Sequence, residues 1–191
     1  MARIEGEVSD LTRQVRELDS RLLWLEGTVR PPLVGSFETA LSFDLSTAVF
    51  PPYAHVYNSA DINHSTSGDW QVLTYNSERS DTDDIHSTVS NTGRLTCKTA
   101  GHYLIISCTR FATNATGDRG VRFVLNGTTS IVQDIRKAAG GAATQIPLSI
   151  EYELVAGDYI TCDAYQTSGG ALNMPAVGNH SPEFMMVWIA P

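Results

Sequence analysis

Residues 80–86 hold the densest group of chemically active side chains in the sequence. Three carboxylates and an imidazole stand close together there, on Asp81, Asp83, Asp84 and His86. Hard cations such as Ca²⁺ are bound by several oxygen ligands, so this acidic run is a candidate cation site. It lacks the ligand spacing and the distal glutamate of a calcium-binding loop. A solvated acidic loop between two strands is the alternative, and the sequence leaves both interpretations open.

The rest of the sequence contains few features that would indicate an enzyme. The five histidines are scattered, and none has the two-histidine spacing of a zinc-binding helix. The sequence also lacks a Gly-x-Ser-x-Gly turn and a glycine loop that would cradle phosphates. No cysteine and histidine pair occurs in a convincing context. We therefore predict that the protein is not an enzyme and has no cofactor, and we assign no metal site, the acidic run staying the one open question.

Three loops of small and mostly uncharged residues are better candidates for ligand binding. They lie at residues 113–117, 138–143 and 166–182, and are rich in glycine, serine, alanine and asparagine. Such loops adapt their hydrogen bonds to a partner. The alternative for each loop is an ordinary connection between strands. The residues selected as ligand contacts are Asn114, Tyr165, Asn173, Met174 and His180.

The elements that would position these loops begin with an N-terminal helix at residues 1–30. Apolar residues recur there at intervals of three and four, which is typical of a coiled-coil seam. Valine is common at the a positions and leucine at the d positions, which favours two strands. Arg21 and Glu26 flank the seam in the Arg-h-x-x-h-Glu arrangement that resembles short three-stranded coils, and this favours a trimer. A helix packed on its own domain is the alternative.

The predicted trimerisation residues share this seam or flank it. They are Ile4, Val8, Leu11, Val15, Leu18, Arg21, Leu22, Leu25, Glu26 and Val29. Trp24 lies off the seam, where an aromatic side chain is either exposed or buried against another protein. We predict that Trp24 anchors the coil to a docking partner.

A proline-rich linker at residues 31–36 separates the coil from a head domain at residues 37–191. Short runs of β-branched and aromatic residues alternate there with turn residues, so the head is predicted to be all-β. Ten strands are expected, which suggests a sandwich or jelly roll. Their ranges are 41–45, 53–57, 70–75, 94–98, 103–111, 119–125, 129–136, 144–154, 159–164 and 184–189.

Residues 103–111 differ from the other predicted strands because they are apolar on both faces. A strand of this kind suits a subunit interface as well as a core. Six aromatic residues are expected to fill the sandwich or to line the axis of a trimer. They are Trp70, Tyr75, Phe123, Tyr152, Phe184 and Trp188.

Three stretches of the head resemble the globular domain of complement C1q. Residues 93–105 resemble its G-R-F-x-C-x-x-x-G-x-Y-x-F signature, residues 154–160 its L-x-x-G-D-x-V segment, and residues 184–189 its closing strand. The resemblance implies a ten-stranded jelly roll of the C1q and tumour-necrosis-factor type, which forms a tight trimer about a three-fold axis. No collagen repeat precedes the head, and the acidic calcium-binding run of some members is missing.

Composition and charge limit the binding partners and the cellular location that we expect for the protein. The net charge of −8 disfavours binding to nucleic acid or to an anionic membrane. No apolar stretch has the length of a signal peptide or a membrane span, so we expect neither membrane insertion nor conventional secretion. The odd number of cysteines, at Cys97, Cys108 and Cys162, indicates buried free thiols.

A short-stalked trimeric head without a secretion signal is typical of bacteriophage fibres, spikes and capsid decorations. We therefore expect a homotrimeric structural or adhesive protein of a virion, made in the host cytoplasm. Its coil would trimerise or contact other virion proteins, and its head would meet a host-surface glycan or protein. The alternative is a non-viral C1q-like binding module that reaches the extracellular space by an unconventional path. These hypotheses rest on architecture, and fold does not fix function.

Overall fold

The structure is a computed structural model that describes residues 51–178 and 180–191. The predicted coil, its linker and the strand expected at 41–45 lie outside these residues. Within the described ranges the chain forms strands, turns and irregular segments, and no α-helix occurs there. No helix in this part is therefore long and apolar enough to span a membrane.

Twelve strands make up the described chain. In order they are β1 (Tyr53–Tyr57), β2 (Ile62–His64), β3 (Trp70–Val72), β4 (Ser77–Asp81), β5 (Arg94–Thr96), β6 (Gly101–Phe111), β7 (Asp118–Leu125), β8 (Thr129–Lys137), β9 (Thr144–Leu154), β10 (Tyr159–Gln166), β11 (Leu172–Met174) and β12 (Glu183–Ala190).

Two five-stranded antiparallel sheets form a sandwich. The first sheet has the order β4-β1-β12-β6-β9, and the second has β3-β10-β7-β8 with β5 also paired to β10. The first and last strands, β1 and β12, are neighbours in the first sheet. Strands β2 and β11 form a separate two-stranded ribbon. The jelly-roll prediction for the head is confirmed by this all-β architecture.

The core lies between the two sheets and is built by alternation along the strands. Strand β6 has every second residue fully or almost fully buried, so one of its faces belongs to the core. The Phe184 ring is central, with its centroid 5.6 Å from those of Tyr75 and Phe123. All three rings are fully buried. Tilted aromatic packing of this kind is favourable beyond the area that it removes from water.

Nine of the ten strands predicted from the sequence occur here, and the tenth falls outside the described residues. Strands β2, β4 and β11 were missed. They have three to five residues each, and β4, with the sequence Ser-Glu-Arg-Ser-Asp, carries no apolar alternation. Asn126 and Gly127 both have positive φ and form the tight turn that connects β7 to β8.

Candidate interaction surfaces

The first sheet carries apolar side chains on its outer face as well as on its core face. Leu104 and Ile106 of β6 point outward and lie opposite Val187 and Met185 of β12. Cys108 continues the row along β6. All five side chains are half-buried, and we call this group the apolar face. A contiguous apolar patch on the outside of a sheet is typical of a protein–protein interface.

A polar cluster borders the apolar face at one end of β12. The Glu183 carboxylate accepts a hydrogen bond of 3.0 Å from Nε of Arg79 and lies 3.2 Å from Nε2 of His55. The Arg79 guanidinium also lies 4.5 Å from the centre of the Tyr57 ring. These contacts pair the charges at the border, so the patch is apolar in the middle and polar at its rim, as interfaces commonly are.

The three loops predicted to bind a ligand lie at one end of the sandwich. Antiparallel pairing brings the ends of β6, β8 and β10 to this end. The Ala138 N–H donates to the Gly117 carbonyl (3.0 Å), and the Thr167 N–H donates to the Asp118 carbonyl (3.1 Å). We call residues 113–117, 138–143, 166–178 and 180–182 the tip loops. Strand β1 begins at the opposite end of the sheet.

A buried arginine organises the first tip loop. The Arg119 side chain is fully buried, and its guanidinium donates to the carbonyls of Asn114 (3.0 Å), Thr116 (2.9 Å) and Asp118 (2.8 Å). Burial lowers the pKa of this guanidinium from its ordinary value, while the nearby Asp118 charge raises it. Three hydrogen bonds to backbone carbonyls fix the path of the loop. No sequence pattern predicted this role, because a lone arginine at a strand start usually faces solvent.

The five residues selected as ligand contacts differ in their accessibility. Asn114 is half-buried and its side chain accepts a hydrogen bond from the Thr116 N–H (2.8 Å), whereas Asn173 and His180 are exposed. Tyr165 lies within β10 and its ring centre is 5.2 Å from that of Trp70. Met174 is fully buried in the core. Its side chain therefore packs into the core cluster, because β11 alternates and only Asn173 is exposed.

The acidic run is a structured turn. The Asp81 carboxylate accepts hydrogen bonds from the N–H groups of Asp83 (3.2 Å), Ile85 (3.0 Å) and His86 (2.8 Å). The buried His86 ring contacts Glu78 (2.8 Å) and the Thr92 carbonyl (3.2 Å). The run therefore satisfies its own backbone donors. Across residues 51–178 and 180–191, no cluster of three or more His, Cys, Asp or Glu side chains is arranged to hold a metal ion.

All three cysteines are free thiols with different surroundings. Cys162 is fully buried between the sheets, and burial raises the pKa of its thiol to about 12. Burial also raises the pKa of Cys97 and of Cys108. Cys108 is the half-buried one, on the apolar face, where Nε2 of Gln145 donates to its sulfur (3.0 Å). Its reactivity therefore reports on whether this face is covered.

The second sheet presents arginine and aromatic side chains on its outer face. The Arg122 guanidinium lies 4.4 Å from the centre of the Trp70 ring, and its Nε donates to the Asp163 carboxylate (3.0 Å). Trp70 is half-buried. The sequence-based expectation that Trp70 fills the core or a trimer axis does not hold for the core, because this side chain packs outside the sheet. Its large ring suggested burial, but only pairing of β3 with β10 decided which face it takes.

The remaining predicted site residues belong to the N-terminal coil. The predicted trimerisation residues from Ile4 to Val29 and the docking residue Trp24 lie outside the described residues. Their roles stay predictions.

Comparison with solved structures shows which known fold the head shares. No family model and no curated protein sequence matches the chain. Among solved structures, murine APRIL at pH 5.0 is similar with a TM-score of 0.57 and 14% identity, covering 73% of this chain and 100% of that one. Eiger TNF from S. frugiperda has a TM-score of 0.54 and 12% identity, covering 74% and 94%.

The globular domain of the zebrafish complement 1qA protein is also similar. Its TM-score is 0.50 at 17% identity, and the match covers 72% of this chain and 97% of that chain. The head thus has the C1q/TNF-like jelly-roll fold that its motifs resembled. Identities this low establish the fold alone.

Proposed function

We propose that the protein is a homotrimeric structural or adhesive component of a virus particle, such as a bacteriophage fibre, spike or capsid decoration. Its N-terminal coil trimerises the chain or docks it on other virion proteins. Its head self-associates through the apolar face and presents the tip loops to a host-surface glycan or protein. The proposal includes no catalytic activity.

The apolar face is the main observation that supports self-association of the head. In a single head the side chains of Leu104, Ile106, Met185 and Val187 are partly exposed to solvent. The residues of β9 opposite Leu104 and Ile106 are charged or polar, so β9 does not extend the apolar face. Burial of such a patch against other copies removes apolar area from water at about 25 cal/mol per Å². In a trimer about a three-fold axis, the apolar face of each copy is covered by a neighbouring copy. The polar cluster around Glu183 then lies at the border of that interface.

The predicted coil supports the same number of subunits by a separate route. Arg21 and Glu26 flank its seam in a pattern that favours three strands. A coil and a head that both favour a trimer reinforce each other, since linking two weak contacts raises the effective concentration of each. The proposed stoichiometry therefore rests on the coil pattern and on the trimer that the C1q resemblance implies for the head.

The tip loops support the adhesive part of the proposal. They lie at the end of the sandwich opposite the start of β1, so they are free to meet a ligand when the chain is attached through its N-terminal part. Asn173 and His180 are exposed there. Small polar side chains on a rigid β scaffold suit hydrogen bonding to a glycan or a protein surface.

Light scattering on the full chain tests the stoichiometry. We expect a mass three times the chain mass of 20.8 kDa. A dimer would contradict both the proposed head packing and the proposed coil.

Mass spectrometry of purified particles and of culture supernatant tests the location. We expect the protein in particles, whereas its presence in supernatant alone would favour the C1q-like extracellular module.

A substitution in the coil tests the docking role. We expect Trp24→Ala to keep the trimer mass and to reduce incorporation into particles, because it removes an aromatic anchor off the seam. Leu18→Asp is the matched variant on the seam, and we expect it to weaken the coil itself. Unchanged incorporation of Trp24→Ala would refute the anchor role.

A further inference from the structure

A groove on the outer face of the second sheet suits a small ligand and is separate from both the apolar face and the tip loops. It lies between β3 and β5, which pair with different halves of β10. Its volume is about 370 Å³. Pockets for small ligands typically start at about 300 Å³, so the groove accommodates one or two sugar units.

The groove holds a cation without a neutralising partner. The Arg94 guanidinium lies 4.9 Å from the centre of the Tyr159 ring, which fixes its position. Arg122 on the same face is paired with the Asp163 carboxylate (2.9 Å), whereas Arg94 makes no side-chain hydrogen bond or ion pair with the residues that the structure describes. A planar guanidinium in this situation is ready to bind a carboxylate through two parallel hydrogen bonds.

The remaining wall is suited to a polyol. Thr161 forms part of it and donates its hydroxyl hydrogen to Asp163 (2.9 Å), which leaves its oxygen as an acceptor. Thr74, Thr92 and Asn91 add further hydroxyl and amide groups. Val72, which is 46% exposed, provides an apolar surface for the C–H face of a sugar ring.

The close approach of two backbone segments shapes one end of the groove. A Cβ atom on Gly93 would lie 2.7 Å from the Leu73 carbonyl oxygen and 2.8 Å from the Val72 side chain. Glycine at this position therefore allows the segment before β5 to pack against β3. The wall that carries Arg94 is held in place by this contact.

We propose that this groove binds a carboxylate-bearing sugar, such as a uronic acid or a sialic acid, with Arg94 as the carboxylate ligand. A single cation without lysine neighbours fits one carboxylate better than the multiple charges of a nucleotide. The groove lies on the second sheet, whereas the apolar face lies on the first. The proposal does not depend on the virion role.

Titration of the isotope-labelled full chain followed by NMR tests the assignment. The probes are the methyl glycoside of glucuronic acid, the methyl glycoside of N-acetylneuraminic acid, neutral methyl glucoside and inorganic phosphate. We expect saturable shifts at Val72, Arg94 and Thr161 with at least one acidic sugar. Binding of neutral glucoside should be about tenfold weaker, because the charge-assisted pair is lost.

Two variants and a matched control sharpen the test. We expect Arg94→Gln to weaken acidic-sugar binding about tenfold and Val72→Glu to abolish it by placing a like charge in the groove. Arg136→Gln removes a cation of β8 that pairs with Asp134, and its binding should equal that of the wild type. Equal binding of acidic and neutral sugars, tighter binding of phosphate, no saturable shifts, or unchanged binding in both groove variants would overturn the proposal.

Discussion

Ile106 of β6 and Met185 of β12 lie directly opposite each other on the outer face of the first sheet. Neither side chain contributes to the core between the sheets, since alternation along both strands directs them away from it. The pair marks the middle of the apolar face. It explains why residues 103–111 are apolar on both faces: one face packs inside the sandwich, and the other is available to a partner.

Thiol labelling tests whether the apolar face is covered in solution. In the wild-type oligomer we expect all three cysteines to resist labelling, because Cys97 and Cys162 are buried in the head and Cys108 lies on the covered face. Ile106→Glu places a charge two residues from Cys108 and should open this contact. We expect Cys108 to become labelled at least tenfold faster in this variant, as measured by mass spectrometry of the intact chain.

Ile135→Glu is the matched control for that experiment. Ile135 is 48% exposed on β8 of the other sheet, so a charge there should leave the labelling of Cys108 slow. Rapid labelling of Cys108 in the wild-type protein would contradict the interface, since an uncovered face leaves this half-buried thiol accessible.

Removal of the buried guanidinium should loosen the first tip loop. In Arg119→Met the carbonyls of Asn114, Thr116 and Asp118 lose their shared donor, and we expect the free energy of unfolding to fall by about 2 kcal/mol. Urea denaturation measures the loss, and limited proteolysis should show new cleavage within 113–117. Arg136→Met is the control on an exposed strand. An unchanged cleavage pattern would show that the loop keeps its path without Arg119.

Truncation of the central aromatic ring should be among the most destabilising changes in the head. Phe184 packs between Tyr75 and Phe123, so Phe184→Ala leaves a cavity between the sheets. We expect a loss of about 3–5 kcal/mol in the free energy of unfolding. Urea denaturation compares it with Val89→Ala, whose side chain is 90% exposed and should change stability by less than about 0.5 kcal/mol. Similar midpoints for the two variants would be incompatible with this core.

One ion pair should make stability depend on pH. The hydrogen bond from Nδ1 of His102 to Glu151 (2.6 Å) raises the pKa of this histidine above its ordinary value of 6.5, and the charge of Glu153 acts in the same direction. A raised pKa in the folded state stabilises the protein below pH 6.5, and this contribution is lost as the pH rises through the folded-state pKa.

The variant His102→Gln isolates that contribution. We expect the wild type to exceed it in urea midpoint at pH 5.5 and the difference to shrink toward pH 8.5. Glu151→Gln should reproduce the loss, because it removes the acceptor charge. A difference that is constant across this range would assign the effect to packing and not to the charge on His102.

Much of the head could be anticipated from residue pattern. Runs of β-branched and aromatic residues predicted a strand at 144–154, and the structure has strand β9 at Thr144–Leu154. The pattern failed for Ser77–Asp81, because edge strands with polar side chains carry no apolar period. It also failed for Met174, which was expected in a binding loop and lies in a buried strand.

By itself, the sequence determined the all-β class of the head and the two-faced apolar character of β6, since both follow from side-chain periodicity along one segment. Only the tertiary structure decided which residues meet across segments. It paired Ile106 with Met185, turned Arg119 inward toward three carbonyls and placed Arg94 beside Tyr159. These contacts depend on strand register between distant parts of the chain, and a register that shifts by one residue moves every side chain to the other face.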